Sequence, residues 1–166
     1  MIEFLIEQAA YAHWYIFALL LLAGLHIPVS EDLMGIGAGV LAATVVPEYA
    51  TLLYLGLFAG AVCGDIENYW LARLLGQRLL RFEFMQKLLP EERLATVRGW
   101  LERYGAATIF VGRLIPFGVR NARFTTAGLS RMAFWKFLLF DFFAALLSTS
   151  LLFALEMAEA MLIGVV

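Results

Sequence analysis

The 166-residue sequence has few charged residues, a single cysteine, and no lysine or arginine before Arg73. The lone Cys63 excludes an intrachain disulfide and a thiolate metal site. Charged residues make up only 16% of the chain and hydrophobic residues 63%, with a mean hydropathy of +0.83, whereas soluble domains are about 45–50% apolar. A soluble domain of this length could not bury so much apolar surface, so the composition predicts an integral membrane protein.

Other absences exclude several classes of function. The net charge of −2 gives no support to nucleic-acid binding, and the first residues lack the positive region of a cleavable signal peptide. No nucleophile set or metal-ligand spacing stands out, so we predict neither an enzyme nor a cofactor or metal site. Ser148, Thr149 and Ser150 are interpreted as bonding to carbonyls of their own helix. His13 and His26 are interpreted as interfacial.

Apolar runs predict the path through the membrane. Residues 12–25, 49–63 and 134–155 are candidate spanning helices. Residues 33–46 are too few to span and are rich in glycine, while 106–129 are interrupted by proline and arginine. Both are interpreted as re-entrant hairpins, because broken backbone at membrane depth needs protein or water around it. The predicted fold is an all-α integral membrane protein with three spanning helices, two opposed re-entrant helical hairpins and a cytoplasmic amphipathic helical segment.

The basic residues predict sidedness. Seven of the twelve lie in residues 64–105, which the positive-inside rule therefore places in the cytoplasm. The turns near 28–32 and 47–48 carry no lysine or arginine and are expected outside, with the N-terminus inside. Two interpretations of residues 64–105 stay open: amphipathic helices lying on anionic lipid, or a solvated helical hairpin. A helix is predicted from Pro90 to Tyr104, with Gly105 as its stop.

Three arginines and a proline lie in one otherwise apolar segment, at Arg113, Pro116, Arg120 and Arg123. Each arginine at bilayer depth costs about 2.5–3.5 kcal/mol, so the segment needs a counter-charge, water or an anionic ligand. Guanidinium groups bind phosphate oxygens in a bidentate manner. We therefore predict that Arg113 and Arg120 bind phosphate, that Pro116 forms the bend, and that Arg123 anchors the segment at the interface.

Acidic residues are candidates for proton coupling or for counter-charges. Glu31 and Asp32 follow Pro28 between two apolar runs. They are interpreted either as solvated loop acids or as acids of which one faces a cavity, with different roles for the two. Asp141 lies inside the last span, where a salt bridge to an arginine and proton transfer are both open.

A third group of polar residues repeats every four positions. Asp65, Tyr69 and Arg73 would share one helix face. Asp65 is interpreted as an N-cap, as a functional acid, or as both. Small residues precede it at the same spacing and predict a helix-packing surface: Gly56, Gly60 and Gly64.

These blocks resemble the DedA family of membrane proteins, also known by the VTT or SNARE-associated domain. The first block is Pro28-Val-Ser-Glu31 with Gly39, and the second runs from Gly64-Asp65 through Tyr69 and Ala72-Arg73 to Gly76. The third and most specific is Phe110-x-x-Arg113-x-x-Pro116-x-x-x-Arg120, followed by Ala127-Gly128. Ala72 stands where the family often has glycine. The resemblance implies a single domain over residues 1–166, with parts at 12–63, 64–105 and 106–155.

The same resemblance implies a bacterial inner-membrane lipid transporter with two opposed re-entrant hairpins. It implies movement of undecaprenyl phosphate or phospholipids, essential arginines at Arg113 and Arg120, and proton coupling through Glu31 and Asp32. Our hypothesis is a flippase or scramblase-like transporter of a lipid phosphate, coupled to protons. The alternatives are a proton/cation antiporter and a membrane scaffold or assembly factor. The expected partners are membrane lipids and protons, with no nucleic acid, and a homo-oligomer is left open.

Overall fold

A computed structural model of the chain describes residues 11–25, 27, 30–81, 83–88, 90–113 and 120–163. All regular elements in these ranges are helical. The predictions for His26, Pro28 and Pro116 fall outside them. The α-helices are α1 (Ala12–Gly24), α2 (Glu31–Thr44), α3 (Ala50–Leu75), α4 (Glu83–Leu88), α5 (Glu91–Tyr104), α6 (Ala107–Arg113), α7 (Arg120–Leu129) and α8 (Phe134–Ile163), with 3₁₀ turns at Pro47–Tyr49 and Gly76–Arg81.

Two helical stretches are long and apolar enough to cross a membrane. They are Pro47–Leu75 and Phe134–Leu162, each of 29 residues. Helix α1 has 13 described residues, which at about 1.5 Å per residue fall short of a hydrocarbon core about 30 Å thick. The all-helical membrane fold therefore stands, whereas a third complete span stays a prediction.

Helix α3 extends farther than the sequence suggested. It runs without interruption from Ala50 to Leu75 and ends at Gly76, whose φ of 54° favours glycine. The helix therefore continues past the predicted division at residue 64, and the N-cap role for Asp65 is wrong, because Asp65 lies in the middle of this helix. Polar residues continue the helix because they face the protein interior: Asp65, Asn68 and Tyr69 are all buried.

The predicted glycine ridge is a helix-packing surface, and α1 lies along it. Gly56 faces the backbone of His13, and Gly64 faces that of Gly24. Since residue numbers increase together along the contact, α1 and α3 run in the same direction. The expectation that α1 leaves the cytoplasm while α3 returns is therefore wrong. Close approach at glycine allows this packing where lipid supplies no hydrophobic drive between helices.

This ridge provides a stability prediction. A Cβ on Gly64 would lie 2.6 Å from the Leu20 carbonyl oxygen, whereas nothing lies within 4 Å of one on Gly37. Gly64→Ala is expected to lower the free energy of unfolding by about 1–3 kcal/mol, because α1 must move away. Gly37→Ala is the matched control and should raise it by about 0.5–1 kcal/mol. Thermal unfolding in detergent, followed by circular dichroism, measures both, and equal melting temperatures would refute the close packing.

Helix α2 packs on α8 and runs in the opposite direction to α1. Gly35 faces Leu152 and Gly39 faces the backbone at Met157, so α2 and α8 run in the same direction. Helix α8 is antiparallel to α3, as the 2.7 Å hydrogen bond between the hydroxyls of Tyr54 and Ser150 near one end indicates, together with the stacking of Tyr69 on Phe137 nearer the other. Helices α1 and α2 are thus the two arms of a helical hairpin.

The end of α1 and the start of α2 both lie in the middle of the bundle. Helix α1 ends beside Gly64, half-way along α3, and α2 begins at Glu31, which contacts Arg113. Pro28 lies outside the described residues, so the prediction that the turn near 28–32 lies on the outer side stays a prediction. The prediction of a hairpin within residues 33–46 is wrong, because α2 is one helix from Glu31 to Thr44. Its glycines serve packing against α8 instead of a turn.

Helices α6 and α7 form a second hairpin that approaches from the other end. Helix α6 ends at Arg113, which contacts Asp65 in the middle of α3. Helix α7 then runs parallel to α3, since Thr125 donates a 3.0 Å hydrogen bond to Asn68 and Gly128 packs against Tyr69 farther along. The connection at 114–119 lies outside the described ranges. The contact of Glu31 with Arg113 joins the two hairpins.

Helix α5 begins and ends where the sequence predicted. Its first turn contains Glu91 and Glu92, and it stops at Gly105 with φ of 59°. Its buried residues, Leu94 and Val97, pack with residues of α3 and α7. The apolar side of α5 therefore faces the protein, and both interpretations of residues 64–105 stay predictions.

Candidate functional site

The described residues place one arginine among three carboxylates in the middle of the bundle. Arg113 Nη2 lies 2.9 Å from Glu31 Oε1, and Nη1 lies 3.1 Å from Asp141 Oδ1. Nη1 also contacts Asp65, and Nε donates a 3.1 Å hydrogen bond to the Ser148 hydroxyl. Arg113 thereby connects four helices: its own α6, and α2, α3 and α8 through its partners. We call these five residues the Arg113 cluster.

The cluster is shielded from its surroundings to different degrees. The side chains of Arg113 and Asp65 are each 3% exposed and that of Asp141 is 0% exposed, whereas Glu31 is 13% exposed. Removing one partner from a buried ion pair costs about 3–5 kcal/mol, because the other charge stays buried. Asp65 and Asp141 therefore contact Arg113 in the buried part of the cluster. Glu31 is the most exposed of the three acids.

Helix periodicity explains how α8 contributes to the cluster. Asp141 and Ser148 are seven residues apart, close to two turns, and therefore share one face of the helix. The interpretation that Ser148 only bonds its own helix is wrong, since its hydroxyl also accepts from Arg113 in addition to a 3.4 Å contact with the Ala145 carbonyl. The seven-residue spacing from an acid inside the span was the signal that could have identified it.

A cavity of about 250 Å³ borders the cluster between α2 and α8. Its lining combines Glu31, Arg113 and Ser148 of the cluster with leucines of α3 and α8. Asp32 also lines it but is exposed, so the two adjacent acids have different surroundings. Both acids lie in the first turn of α2, where negative charge stabilises a helix.

Tyr69 and Arg73 lie on the same face of α3 as Asp65, but they bind the backbone at Met132. Arg73 Nη1 donates a 2.8 Å hydrogen bond to the Met132 carbonyl, and the Tyr69 hydroxyl donates to the same oxygen. The Arg73 guanidinium also contacts the Tyr69 hydroxyl. These contacts fix the turn between α7 and α8, and so support the segment that carries Asp141.

Arg123 differs from its prediction. It is 0% exposed, and its Nη1 donates a 3.2 Å hydrogen bond to the Ile109 carbonyl. Gly112 has no side chain, and the Arg123 guanidinium lies directly against it. Arg123 therefore holds α6 against α7 inside the second hairpin and does not reach the membrane interface.

Several predicted residues stay untested. Arg120 is the first residue of α7, but its side chain, Pro116 and Pro28 lie outside the described part of the chain. Phosphate binding by Arg120 is therefore still a prediction. Within the described ranges, no group of histidine, cysteine, aspartate and glutamate is arranged to hold a metal ion.

These observations define a class: a helical membrane protein with a buried ionic cluster where two helical hairpins meet. The family model for the VTT domain matches residues 27–155. The chain therefore belongs to the VTT-domain, or DedA, family, as its sequence blocks predicted.

Relatives agree with a membrane location. An inner membrane protein of Borreliella burgdorferi is 39% identical over 155 residues, covering 93% of this chain and 73% of the relative. A membrane protein of Haemophilus influenzae is 33% identical over 150 residues, covering 88% and 70%. Undecaprenyl phosphate transporter A of Bacillus subtilis is 33% identical over 91 residues, covering 52% and 46%. No solved structure matches the chain. The chain is a protein of the bacterial inner membrane.

Proposed function

We propose that the chain moves a lipid with an anionic phosphate headgroup between the leaflets of the membrane. Arg113 and Arg120 bind the headgroup, and Glu31 exchanges a proton as the headgroup arrives and leaves. The observation that carries this proposal is the contact between buried Arg113 and Glu31, the acid beside the cavity. This is a transporter and not an enzyme.

The geometry of Arg113 supports headgroup binding. A guanidinium group pairs with carboxylate and phosphate oxygens through the same planar arrangement of donors. Glu31 occupies Nη2, while Asp65 and Asp141 occupy Nη1 from the interior. A phosphate that enters through the cavity replaces Glu31 and leaves the two inner acids in place.

The charges of the cluster support proton coupling. A phosphate brings negative charge to a site already lined by Glu31, Asp65 and Asp141. Burial disfavours additional like charge, because low-dielectric surroundings strengthen the repulsion. Protonation of Glu31 removes one negative charge and releases its hold on Arg113. Lipid binding and proton uptake at Glu31 therefore favour each other.

The two hairpins support a membrane topology for this transport. Each ends in the middle of the bundle, and they approach from opposite ends. Binding sites between interrupted helices at mid-membrane are typical of transporters. We propose that α1–α2 and α6–α7 are re-entrant hairpins entering from the outer and the cytoplasmic side, with residues 76–105 cytoplasmic. The N-terminal end of α1 then faces outward.

The identity of the lipid is proposed from chemistry and from one relative. The similarity to undecaprenyl phosphate transporter A of Bacillus subtilis covers about half of this chain. It supports a lipid phosphate such as undecaprenyl phosphate. A phospholipid has the same phosphate chemistry and is the other arm of the test.

The test is a headgroup-resolved flipping assay in vesicles that contain the purified protein. Labelled polyprenyl phosphate, phosphatidylglycerol and phosphatidylcholine are compared with and without a pH gradient. Arg120→Gln is expected to reduce transport of the phosphate lipid at least about tenfold, since a charge-assisted hydrogen bond contributes about 1.5–3 kcal/mol. Lys136→Gln, which removes an exposed charge, is the control and should keep the wild-type rate. Equal rates for the two variants would reject headgroup binding by Arg120.

A proton/cation antiporter is the second candidate, and one observation favours it. Three carboxylates surround one arginine in the Arg113 cluster, and carboxylates in partly buried surroundings can take up and release protons. An assay in vesicles that lack the lipid substrate and contain a pH-sensitive dye distinguishes the antiporter from the lipid transporter. Cation-driven proton flux in them supports the antiporter, and its absence removes this candidate.

A further inference from the structure

A second cavity lies between α5 and α6 and has an almost entirely apolar lining. Its volume is about 280 Å³. It is lined by Trp100, Tyr104, Ala107, Thr108, Val111 and Gly112. The Thr108 hydroxyl donates a 2.9 Å hydrogen bond to the Trp100 carbonyl, so this hydroxyl already has a partner. Such a cavity suits a hydrocarbon chain better than a polar ligand.

This cavity is separate from the Arg113 cluster. Ile109 and Arg113 are buried on the inner side of α6, whereas Val111 is 56% exposed on its outer side. The two cavities share no lining residue. Its opening therefore faces the surroundings of the protein, which for an inner-membrane protein include lipid.

A positive charge lies beside Tyr104, one of the residues that line the cavity. The Arg103 guanidinium lies 5.4 Å from the centre of the Tyr104 ring, and Tyr104 is 58% exposed. Both residues are at the end of α5, and residues 76–105 are proposed to lie on the cytoplasmic side. Tyrosine and arginine at this depth are typical of contacts with lipid headgroups. The charge complements an anionic headgroup.

We propose that the α5–α6 cavity binds a hydrocarbon chain of an anionic lipid, with the headgroup of that lipid on Arg103. The bound lipid belongs to the cytoplasmic leaflet. It is additional to the lipid in the transport site, because Arg113 lies on the other side of α6. This inference therefore does not depend on transport.

The fluorescence of Trp100 provides a local test. A protein with Trp14, Trp70 and Trp135 replaced by phenylalanine retains only this tryptophan. It is placed in vesicles containing phosphatidylglycerol or phosphatidylcholine with brominated chains, because bromine quenches tryptophan on contact. We expect about fivefold stronger relative binding of the anionic lipid, the gain typical of one arginine at an anionic surface. Arg103→Gln should remove the preference.

Matched variants separate a bound lipid from bulk membrane. Arg98→Gln removes the same charge from the same helix outside this cavity and should change the preference less than about twofold. A protein retaining only Trp135, which is 76% exposed outside the cavity, should be quenched equally by both lipids. Ala107→Phe should reduce the quenching of Trp100 by filling the cavity. Equal quenching of Trp100 by the two lipids, or none, would overturn the proposal.

Discussion

Replacing Arg113 with alanine is expected to reduce lipid-phosphate transport to the level of protein-free vesicles and to destabilise the protein. The free energy of unfolding should fall by about 3–5 kcal/mol, because three carboxylates lose the guanidinium that they surround. The energetic penalty is largest for Asp65 and Asp141, since both carboxylates are buried. Flipping assays give the transport rate, and thermal unfolding in detergent gives the stability.

A second variant separates lost folding from lost function. Arg113→Met combined with Glu31→Gln, Asp65→Asn and Asp141→Asn neutralises the whole cluster. No charge then stays buried without a partner, so the penalty for a broken ion pair does not arise and this variant should recover most of the melting temperature. Transport should stay absent, because no guanidinium remains at position 113. If transport returned together with stability, Arg113 would have only a structural role.

Glu31→Gln is expected to make transport insensitive to a pH gradient, while Asp32→Asn should leave the response intact. The two acids are adjacent, but only Glu31 contacts Arg113 within the described residues, and Asp32 is exposed. Glutamine keeps the shape of Glu31 and cannot exchange a proton. A coupling free energy of about 1–3 kcal/mol corresponds to a 5–150-fold change in affinity, which a transport assay detects easily.

The pair Glu31→Gln and Asp32→Asn is a close control, because each variant removes one charge from the first turn of α2. The two variants therefore lose the same favourable interaction with the helix N-terminus, and they differ in the contact of Glu31 with Arg113. The rate is measured at equal pH on both sides and then with a gradient in each direction. A full gradient response in Glu31→Gln would place proton exchange at another group.

Much of the fold could be predicted from local patterns. The four-residue spacing of Gly56, Gly60 and Gly64 indicated a packing surface, and α1 occupies it. The acids after Pro90 and the stop at Gly105 defined α5. These features are encoded within a few neighbouring residues, so no tertiary information was needed to find them.

The pairing of the short helices could not be predicted in the same way. An apolar helix such as α1 or α2 is equally compatible with lipid and with another helix. Composition therefore did not reveal that 12–24 and 31–44 are arms of one hairpin. The direction of α1 depends on contacts of Gly24 and Gly56 with distant residues, which only the assembled structure shows.

The same limit explains the errors around the arginines. Arg123 could be buried only because Gly112 leaves space for its guanidinium and Ile109 offers a carbonyl. Neither condition follows from hydropathy. An arginine at such a position usually lies at the membrane interface, because its charge is costly in the hydrocarbon core. Ser148 was missed for a related reason, since serine in a membrane helix commonly bonds its own backbone.

The cluster has a structural consequence beyond transport. Where lipid and protein interior are both apolar, hydrophobic burial specifies the positions of helices only weakly. The Arg113 cluster and the glycine contacts supply directional constraints instead. Glu31 from the first hairpin meets Arg113 from the second, so this ion pair links the two hairpins directly.

The central claim is that an anionic headgroup displaces Glu31 from Arg113 and that Glu31 takes up a proton. Calorimetric titration of a short-chain polyprenyl phosphate into the protein in detergent, in two buffers of different ionisation enthalpy, counts the protons taken up. Wild-type protein should take up about one more proton per bound lipid than Glu31→Gln, by the linkage of binding and protonation. Binding with the same proton uptake in both proteins would contradict the account.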